Sequence, residues 1–514
     1  MYGEELIQAF REFKAIWDPN GKMNPGKIID TYGQLSNLRI DNNYNPPATE
    51  TYFAFTNDNN DFSQATIRCV GVGKCRHHEG GTMCPSYMVT REEEHSTRGR
   101  SRLLFEMLQN NPLKDGWKND HVKDALDLCL ACKGCKADCP VNVDMAMYKS
   151  EFLAHYYKGR LRPRYAYAFG WIYWWSKLAS FMPSLANFIM HAPLISKLTK
   201  AIAGIAPERK MPRFAEITFR EWFGNRKKYI SNTGKPKVIL WADTFNNHFL
   251  PETLVAGTEV LEAAGFEVMM PQKSLCCGRP LYDFGMLKTA KYQLQEILNV
   301  LQAEIRQDIP IVGLEPSCVA VFRDELNELF PHNQDAKRLS TNVFTLAEFL
   351  EKKAPDFALP QFKKKAIVHG HCHHKAVMKL NCDKQLLEKT GMNYTVLDSG
   401  CCGMAGYFGY IKGEQYDVSV KAGERVLLPA VRKAGDQTII IADGFSCREQ
   451  IEQKTHRKAL HLAQVLQLAL RQNDSAENYH EPIKLRDPHK KRNLVLYSTA
   501  FAAALLVTLV LKKK

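Results

Sequence analysis

The sequence has no apolar run at its N-terminus, because charged residues recur throughout residues 1–22, and this predicts that the chain carries no signal peptide. It also lacks the helix-turn-helix, RNA-recognition and zinc-finger patterns that bind nucleic acid, although its formal net charge is +14. Core-forming side chains are not depleted, since 45% of residues are hydrophobic and 24% are charged, which excludes a disordered chain. The positive charge therefore favours a membrane surface, and no nucleic acid, as partner.

Cysteine is plentiful. The chain has fifteen cysteines, and seven of them fall in Cys-x-x-Cys or Cys-Cys-Gly clusters. Adjacent cysteines are poor disulfide partners in a long chain, so this usage is typical of metal ligands in a reducing compartment. We therefore predict a cytoplasmic metal-binding protein.

An uncharged stretch at residues 494–511 lies between two groups of basic residues near the C-terminus. As a helix it would span about 27 Å, enough for the hydrocarbon layer of a bilayer. This predicts that the basic tail, residues 476–514, carries a transmembrane anchor to the inner membrane. The alternative is a terminal helix packed on the protein or on a partner.

The strongest motif is a run of four cysteines followed by Pro140. Two, two and three residues separate the thiols, which is the spacing of bacterial-type ferredoxins. In that pattern three sulfurs reach one cubane, and the fourth, before the helix-breaking proline, serves a second cluster. The alternatives are a structural zinc site or scattered core cysteines. The four thiols are Cys129, Cys132, Cys135 and Cys139.

A second, incomplete run precedes it, with Val72 where the usual second cysteine would stand. Its three thiols are Cys69, Cys75 and Cys84. Crossed ligation predicts one full 4Fe-4S cluster and a second with an open fourth position. A three-iron cluster, or His77 or His78 as ligand, would complete the second. The full set is Cys84, Cys129, Cys132 and Cys135, and the partial set is Cys69, Cys75 and Cys139.

The chain then becomes aromatic and basic from Tyr148 to about Trp222. Amphipathic segments of this kind lie in a bilayer interface. A helical connector packed between domains is the equally favoured alternative.

Strands and helices then alternate twice. Strands are predicted at 238–242, 266–270 and 309–314, with helices at 253–264 and 287–305, and the second copy has strands beginning near 366, 394 and 438. The spacing of the cysteines is similar in both copies, which indicates an internal duplication. In each copy the thiols follow strand C-termini, where open α/β sheets place their sites. The thiols are Cys276, Cys277 and Cys318 in the first copy, and Cys372, Cys401, Cys402 and Cys447 in the second.

These copies resemble the Cys-Cys-Gly (CCG) domain found in the B subunit of heterodisulfide reductase, in the third subunit of anaerobic glycerol-3-phosphate dehydrogenase and in the glycolate oxidase iron–sulfur subunit. The resemblance implies a lead cysteine, a Cys-Cys pair and a final Cys-x-x-Cys. The first copy lacks the lead cysteine near Thr244 and has Val321 in the last place, and the second has Gln450 there. The second copy could hold a cluster or zinc, whereas the first needs another ligand or shares a site.

Four histidines cluster beside Cys372 and are candidate ligands or proton relays. They are His369, His371, His373 and His374. Cys382 falls outside the pattern, and we predict that it is an inert buried thiol.

The N-terminal segment has apolar residues at helical spacing over residues 4–17, followed by a turn and Asn24-Pro25-Gly26-Lys27. It resembles the last helix and closing motif of FAD-linked oxidases of the D-lactate, glycolate and D-2-hydroxyglutarate dehydrogenase group. The resemblance implies that Asn24 and Lys27 belong to a flavin site, and that FAD sits on a domain or subunit upstream of this chain.

The whole order resembles the fused FAD-linked D-2-hydroxyglutarate/D-lactate dehydrogenase family. This implies that electrons pass from FAD through the clusters and the CCG domain to a quinone or another membrane acceptor. The alternatives are a heterodisulfide-reductase-like thiol/disulfide oxidoreductase and a zinc-stabilised membrane scaffold.

The expected fold is α+β and multidomain, with a mainly α-helical ferredoxin-like two-cluster domain and a duplicated α/β cysteine-rich domain. The predicted parts are a flavin-oxidase remnant (1–40), a linker (41–63), the ferredoxin-type domain (64–160), a connector (161–232), two CCG repeats (233–350 and 351–475) and the tail (476–514).

Overall fold

The computed structural model describes residues 2–33, 36, 40, 44, 48–110, 112–226 and 234–471. The chain divides into two compact units, Met1–Pro47 and Ala48–Lys514. The predicted anchor at 494–511 and the basic tail lie outside the described residues. Among the helices of the described part, none is both long and apolar enough to cross a membrane.

The first unit contains helix α1, Glu4–Trp17, as predicted. Acidic Glu4 and Glu5 occupy its first turn, which complements the helix dipole. Asp18 ends the helix: its carboxylate accepts from Lys14 Nζ at 2.6 Å and from the backbone N–H groups of residues 22 and 23 at 2.8 Å. The apolar side chains of α1 are exposed in this unit, and they include Leu6, Phe10, Phe13, Ile16 and Trp17.

The cysteine runs of the second unit lie in a helical region. Short helices are expected there, because the backbone must turn repeatedly to direct several thiols inward. The segment 48–63, which composition predicts as part of a linker, contributes Phe53, Phe55 and Phe62 to the core. The helices are α2 (Phe62–Ile67), α3 (Pro85–Thr90), α4 (Thr97–Leu108), α5 (Asp120–Asp127), α6 (Gly134–Asp138) and α7 (Met145–Tyr156), with 3₁₀ turns at Thr56–Asp58, Lys74–Arg76, Glu93–His95 and Gly116–Lys118.

The connector contains five helices in its described part, residues 161–226. Pro183 and Pro193 are the first residues of two of these helices. Proline has no backbone N–H, but at this position the N–H would have no partner within the helix. The helices are α8 (Arg164–Gly170), α9 (Ile172–Ala179), α10 (Pro183–His191), α11 (Pro193–Ala203) and α12 (Phe219–Arg226).

The third region is an α/β unit with a four-stranded parallel sheet in the order β2-β1-β3-β4. Strand β4 was not predicted, and the predicted helix at 287–305 is two helices that meet at Leu301. The strands are β1 (Lys237–Trp241), β2 (Glu267–Met269), β3 (Ile311–Gly313) and β4 (Val343–Thr345). The helices are α13 (Thr244–His248), α14 (Pro251–Ala263), α15 (Arg279–Tyr282), α16 (Leu287–Val300), α17 (Gln302–Arg306), α18 (Pro316–Arg323), α19 (Glu325–Leu329), α20 (Gln334–Thr341) and α21 (Leu346–Lys353).

A second α/β unit has a three-stranded parallel sheet in the order β6-β5-β7. In both sheets the first strand is flanked by the second and third, so three strands have the same arrangement. The strands are β5 (Lys365–Val368), β6 (Asn393–Val396) and β7 (Ile439–Ile441). A π-helix spans His374–Met378 and a 3₁₀ turn Phe408–Tyr410. The α-helices are α22 (Asn381–Lys389), α23 (Glu414–Glu424), α24 (Leu427–Lys433), α25 (Phe445–Thr455) and α26 (Leu462–Arg471).

The two α/β units share one apolar core, in which Leu254 of α14 and Leu466 of α26 are fully buried. The described residues are mainly helical with two small parallel sheets, which confirms the predicted α+β fold class.

Candidate iron–sulfur and thiol centres

Four thiols line one buried cavity in the helical region: Cys84, Cys129, Cys132 and Cys135. Left-handed backbone at Ala131 (φ 49°) and Lys133 (φ 56°) makes the turns that direct the last three thiols to one side. Cys84 itself is left-handed, with φ 56°. The cavity therefore collects the four thiols of the predicted full set.

Burial dominates the chemistry of these thiols. It raises the pKa of Cys132 well above its ordinary value and that of Cys135 to about 12. Backbone N–H groups point at the sulfurs, from Thr97 to Cys84 Sγ at 2.9 Å and from Met145 to Cys135 Sγ at 3.4 Å. Thiols buried in this way need a bound metal to be held as thiolates, so the donor set fits an iron–sulfur cluster.

A second cavity is lined by the partial set, Cys69, Cys75 and Cys139, together with Val72. Val72 is 65% exposed, so the position without a thiol faces solvent. The Cys84 thiol donates toward Cys75 and lowers the pKa of Cys75 to about 6. The two cavities are thus neighbours.

Neither of the two histidines predicted as substitute ligands lines the second cavity. The ring nitrogens of His77 contact the carbonyl oxygens of Glu79 and Met83 at 2.8 and 3.1 Å. His78 contacts the Arg91 guanidinium. The described residues around the cavity supply three thiols, and ligation by a histidine stays a prediction.

The first α/β unit brings its three cysteines together in a buried group. The sulfurs of Cys277 and Cys318 lie 3.0 Å apart, and the Thr244 hydroxyl faces the Cys276 thiol. Although the Cys277 thiol donates to Cys318, burial and the charges of Asp243 and Glu315 raise the pKa of Cys318 to about 11. Three thiols and one hydroxyl therefore lie together in the first α/β unit.

The second α/β unit gathers four thiols, Cys372, Cys401, Cys402 and Cys447, and one histidine. His369, Cys402 and Cys447 offer ligand atoms within 4.8 Å of one another. His369 Nδ1 contacts Ser399 Oγ at 2.6 Å, while its buried Nε2 has no hydrogen bond. This orphaned nitrogen beside two thiols is the arrangement expected around a metal centre.

Gly403 sets the turn after the Cys-Cys pair. Its φ is +87°, and a Cβ there would lie 2.0 Å from the Ser419 carbonyl oxygen. The Gly403 N–H donates to Cys401 Sγ at 3.4 Å. A hydrogen bond from the Cys401 thiol is the main reason why the pKa of Cys372 is lowered to about 6.

The other residues that the sequence singled out lie outside these thiol groups. Gln450, in place of a last cysteine, accepts from the buried Arg209 guanidinium at 2.7 Å, so its role is structural. Val321 is fully buried in the core. Cys382 is partly exposed, which corrects the prediction of a buried thiol: α22 directs it toward the edge of the core. Asn24 and Lys27 are exposed in the first unit.

One residue that sequence reasoning missed is Lys133, between two cluster cysteines. It is 1% exposed, and its Nζ pairs with Asp144 at 2.9 Å, Asp324 at 2.6 Å and Glu325 at 3.1 Å. The contacts join the cysteine loop to the first α/β unit. Two of the partners are distant in sequence, so no local pattern could have revealed them.

An apolar chamber lies where the helical region, the connector and both α/β units meet. Its empty space is about 1100 Å³ including the part that is open to solvent, and both Cys132 and Cys372 line it. The two thiols also belong to one buried apolar cluster. His371 and His373 reach the chamber, but His369 and His374 do not line it, so the four histidines do not form one site. Its apolar lining includes Phe169, Ile172, Met190, Met211, Phe245, Phe249, Tyr407 and Tyr410.

Three domain families match separate parts of the chain. The C-terminal domain of FAD linked oxidases matches residues 1–28, the 4Fe-4S dicluster domain matches residues 65–143, and the cysteine-rich domain matches residues 244–323. The matched ranges contain, in turn, the Asn24–Lys27 motif, all seven thiols of the two cavities, and the three thiols of the first α/β unit.

Curated proteins match more of the chain. The D-2-hydroxyglutarate dehydrogenase of Pseudomonas putida is 27% identical over 91% of this chain and 50% of its own length. The C subunit of anaerobic glycerol-3-phosphate dehydrogenase from Escherichia coli is 27% identical over 56% of this chain and 78% of its own length. Lactate utilization protein A of Bacillus subtilis is 27% identical over 45% of this chain and 98% of its own length. The chain spans about half the length of the D-2-hydroxyglutarate dehydrogenases that it matches.

The thiol-lined cavities and the dicluster match define an iron–sulfur protein with a 4Fe-4S centre. The FAD-oxidase and cysteine-rich matches add two further domain types. Together the matches are those of a fused family, in which a FAD-linked oxidase is joined to a 4Fe-4S dicluster module and a cysteine-rich domain, and this is the resemblance that the motifs predicted.

Proposed function

We propose that this chain carries electrons from a FAD-linked D-2-hydroxyacid dehydrogenase domain or subunit to a quinone at the cytoplasmic face of the inner membrane. The observation that carries the proposal is the position of Cys132 and Cys372 in the wall of one apolar chamber. The chamber connects the cavity whose cluster would receive the electrons with the thiol centre that would pass them on.

The thiol sets form an uninterrupted series. Cys75 of the partial set contacts Cys84 of the full set, and Cys132 of the full set adjoins Cys372 of the second CCG copy. We assign a complete 4Fe-4S cluster to the first cavity and a second, three-thiolate cluster to the other. When bound, such clusters accept and donate single electrons, which suits them to relay electrons from a two-electron flavin.

The two α/β units are interpreted as an internal duplication of the CCG domain. Their sheets share the order in which the first strand lies between the second and third, and in both units the thiols follow the strand ends. The second copy has four thiols with His369 and fits a metal centre. The first copy has Thr244 beside Cys276 and presents only three thiols, so we assign it a structural role.

The donor side of the pathway lies at the first unit. Helix α1 leaves Phe13 and Trp17 exposed, although amphipathic helices normally bury such residues. The upstream flavin domain is the partner that would cover them, with Asn24 and Lys27 at its edge. Removal of hydrogen from the hydroxy acid requires that domain, and relatives are named for D-2-hydroxyglutarate and lactate.

The acceptor side is the apolar chamber. Its walls are aromatic and aliphatic, with a few polar groups such as Arg279, Glu315 and Ser446, as in sites for lipid-soluble ring compounds. A quinone bound there would be reduced to the quinol by two protons from water and by two electrons that originate at the flavin and pass singly through clusters held by the thiols. The chamber thus fits an apolar acceptor better than a charged one.

The connector offers this chamber a route to the bilayer, because α8, α9 and α10 line it through Phe169, Ile172 and Met190. The connector also exposes fourteen large apolar side chains to solvent between residues 161 and 202. No Asp or Glu occurs from 152 to 207, while seven Lys and Arg residues do. Aromatic residues with a basic, acid-free background are typical of surfaces that lie on anionic lipid.

A second candidate function is thiol/disulfide exchange in the first CCG copy. The 3.0 Å separation of the Cys277 and Cys318 sulfurs favours it, since small movements would close a disulfide. Oxidation of reduced clusters by a disulfide substrate, lost in Cys318→Ser, would support this function over quinone reduction.

The main test reconstitutes the chain anaerobically with iron and sulfide, alongside Cys132→Ser and the control Cys382→Ser. Wild type and Cys382→Ser should show 4Fe-4S EPR signals after reduction, and Cys132→Ser should lose the signal of the complete cluster. Absence of any iron–sulfur signal in wild type, with zinc present instead, would favour the zinc-stabilised scaffold.

The pathway is then tested by adding the upstream flavoprotein, a D-2-hydroxy acid and a quinone analogue. Quinone reduction should require both the flavoprotein and Cys132. If Cys132→Ser supports the same rate as Cys382→Ser, electrons bypass the clusters and the proposal is wrong.

A further inference from the structure

Three polar side chains converge in the second α/β unit, away from the thiols. His374 begins the π-helix after β5, Asp383 lies on α22, and Asp443 follows β7. Each offers one ligand atom within 4.8 Å of the others. His374 Nε2 lies 3.2 Å from Asp383 Oδ2, and His374 Nδ1 lies 4.0 Å from Asp443 Oδ2. The site thus has one imidazole between two carboxylates.

The group is buried and poorly satisfied. His374 is 1% exposed and Asp383 6% exposed. Both ring nitrogens of His374 and Oδ2 of Asp383 lack a hydrogen bond that meets normal geometry. Burying such atoms without partners costs free energy, and native proteins usually pair them. A small cavity lined by these residues lies among them.

The neighbouring groups are already occupied, which limits the ligands to three. Asp443 Oδ1 accepts from the Leu462 N–H at 2.9 Å, so that Oδ2 is left to face His374. His461 contacts the Leu314 carbonyl oxygen through Nε2 at 2.8 Å and accepts from the Ala463 N–H through Nδ1 at 2.9 Å. His461 therefore orients Asp443, at 3.6 Å from its Oδ1, and is not itself a ligand.

The donor atoms of this group are suited to a metal ion. A metal ion bound among the three side chains would contact the imidazole and both carboxylates at once and would satisfy the atoms that lack hydrogen bonds. One histidine and two aspartates form a donor set that zinc accepts, with water in the fourth position. The π-helix that places His374 here is a rare element that often marks functional sites.

We propose that His374, Asp383 and Asp443 bind one zinc ion, separate from the thiol centres. The ion fastens the π-helix to α22 and to the loop after β7. The same cavity is lined by Leu314 and Thr345 from the ends of β3 and β4, so the ion sits where the two α/β units meet. Its role is to hold the units together, independently of the electron pathway.

The test uses the full chain after anaerobic iron–sulfur reconstitution, with zinc added and the excess removed. Elemental analysis should find one equivalent of zinc per chain in wild type, and Asp383→Asn should lose it while iron and acid-labile sulfide stay unchanged. The matched control Asp436→Asn, at an exposed carboxylate before β7, should keep it. Cys402→Ser should also keep it, which separates this zinc from thiol-bound zinc.

Cobalt provides a second readout that needs no variant. Co²⁺ bound in place of zinc should give visible d–d bands without thiolate charge-transfer absorption. Zinc should also raise the melting temperature of wild type and not that of Asp383→Asn. The proposal is overturned if wild type takes up no zinc, if Asp383→Asn takes up as much as wild type, or if the cobalt spectrum is that of a thiolate site.

Discussion

Lys133 offers the sharpest test of how the cluster loop is held. Its ammonium group is fully buried and lies within 3.1 Å of three carboxylates. Burial lowers the pKa of Lys133, but the charges of Asp144, Asp324 and Glu325 outweigh it and raise the pKa well above its ordinary value. The lysine is therefore charged in the fold, and the carboxylates depend on it.

Replacing it with methionine keeps the unbranched chain, one heavy atom shorter, and removes the charge. Nearby Lys136 and Arg279 still pair with Asp324 and Glu325, so the loss is that of one partner from a buried network. Breaking a buried pair in this way costs about 3–5 kcal/mol, because a charge is left uncompensated. We expect Lys133→Met to lower the free energy of unfolding by that amount.

Lys389→Met is the control, since Lys389 pairs with Glu351 at 2.7 Å on the surface, where its side chain is 44% exposed. Exposed pairs contribute at most about 1 kcal/mol. Pulse proteolysis in urea on the reconstituted proteins measures the free energy of unfolding of both variants. A second variant, Lys133→Met with Asp324→Asn, should recover part of the loss because it removes one unpaired carboxylate. If Lys133→Met and Lys389→Met differ by less than about 1 kcal/mol, the network does not hold the loop.

Three further predictions follow from the site and its surroundings. Val72→Cys places an eighth thiol on the cavity of the partial set, so reconstituted protein should gain iron and exchange a three-iron EPR signal for a second four-iron signal. Gly403→Ala should lose metal from the second CCG copy, because its Cβ would meet the Ser419 carbonyl oxygen at 2.0 Å. Burial lowers the pKa of His248 to about 4; since the unfolded chain binds this proton at about 6.5, stability should fall by about 3 kcal/mol as pH drops from 6.5 to 4, and should then level off.

Each of these has a matched comparison. Val70→Cys, beside the same cavity, should bring no second four-iron signal, and an equal gain there would mean adventitious iron. Gly413→Ala, where a Cβ meets nothing within 4 Å although φ is also positive, separates backbone strain from the clash at Gly403. His248→Gln should flatten the acid side of the stability profile, and an unchanged slope would assign the proton to another group.

Much of the fold follows from local pattern. The strands β1, β2, β3, β5, β6 and β7 were visible as short apolar runs. Strand β4, Val343–Thr345, leads directly into α21 at Leu346, so its apolar residues merge with those of the helix. The break at Leu301 leaves the apolar spacing of α16 and α17 intact, so the sequence shows one helix. Phe53, Phe55 and Phe62 pack in the core although the polar residues around them predict a linker.

The candidate site, too, was predictable only in part. The spacing of the cysteine runs predicts which thiols share each cavity, because a few residues between thiols limit where the sulfurs can point. The contact of Cys132 with the region of Cys372, and the pairing of Lys133 with Asp324, join distant segments. Such long-range contacts leave no mark in any local window of the sequence. Occupation of the cavities by iron stays a prediction.

The buried position of Cys132 has a consequence for how the protein is made. Cys132 comes from the first half of the chain and Cys372 from the second, and both are buried in the same apolar cluster. A carrier that delivers iron and sulfide needs access to the thiols, so the first cavity must be filled before the second α/β unit closes over it. Cluster insertion is then a step of folding. Chains synthesised under iron limitation should remain open, expose their apolar surfaces to the cell's proteases, and be degraded.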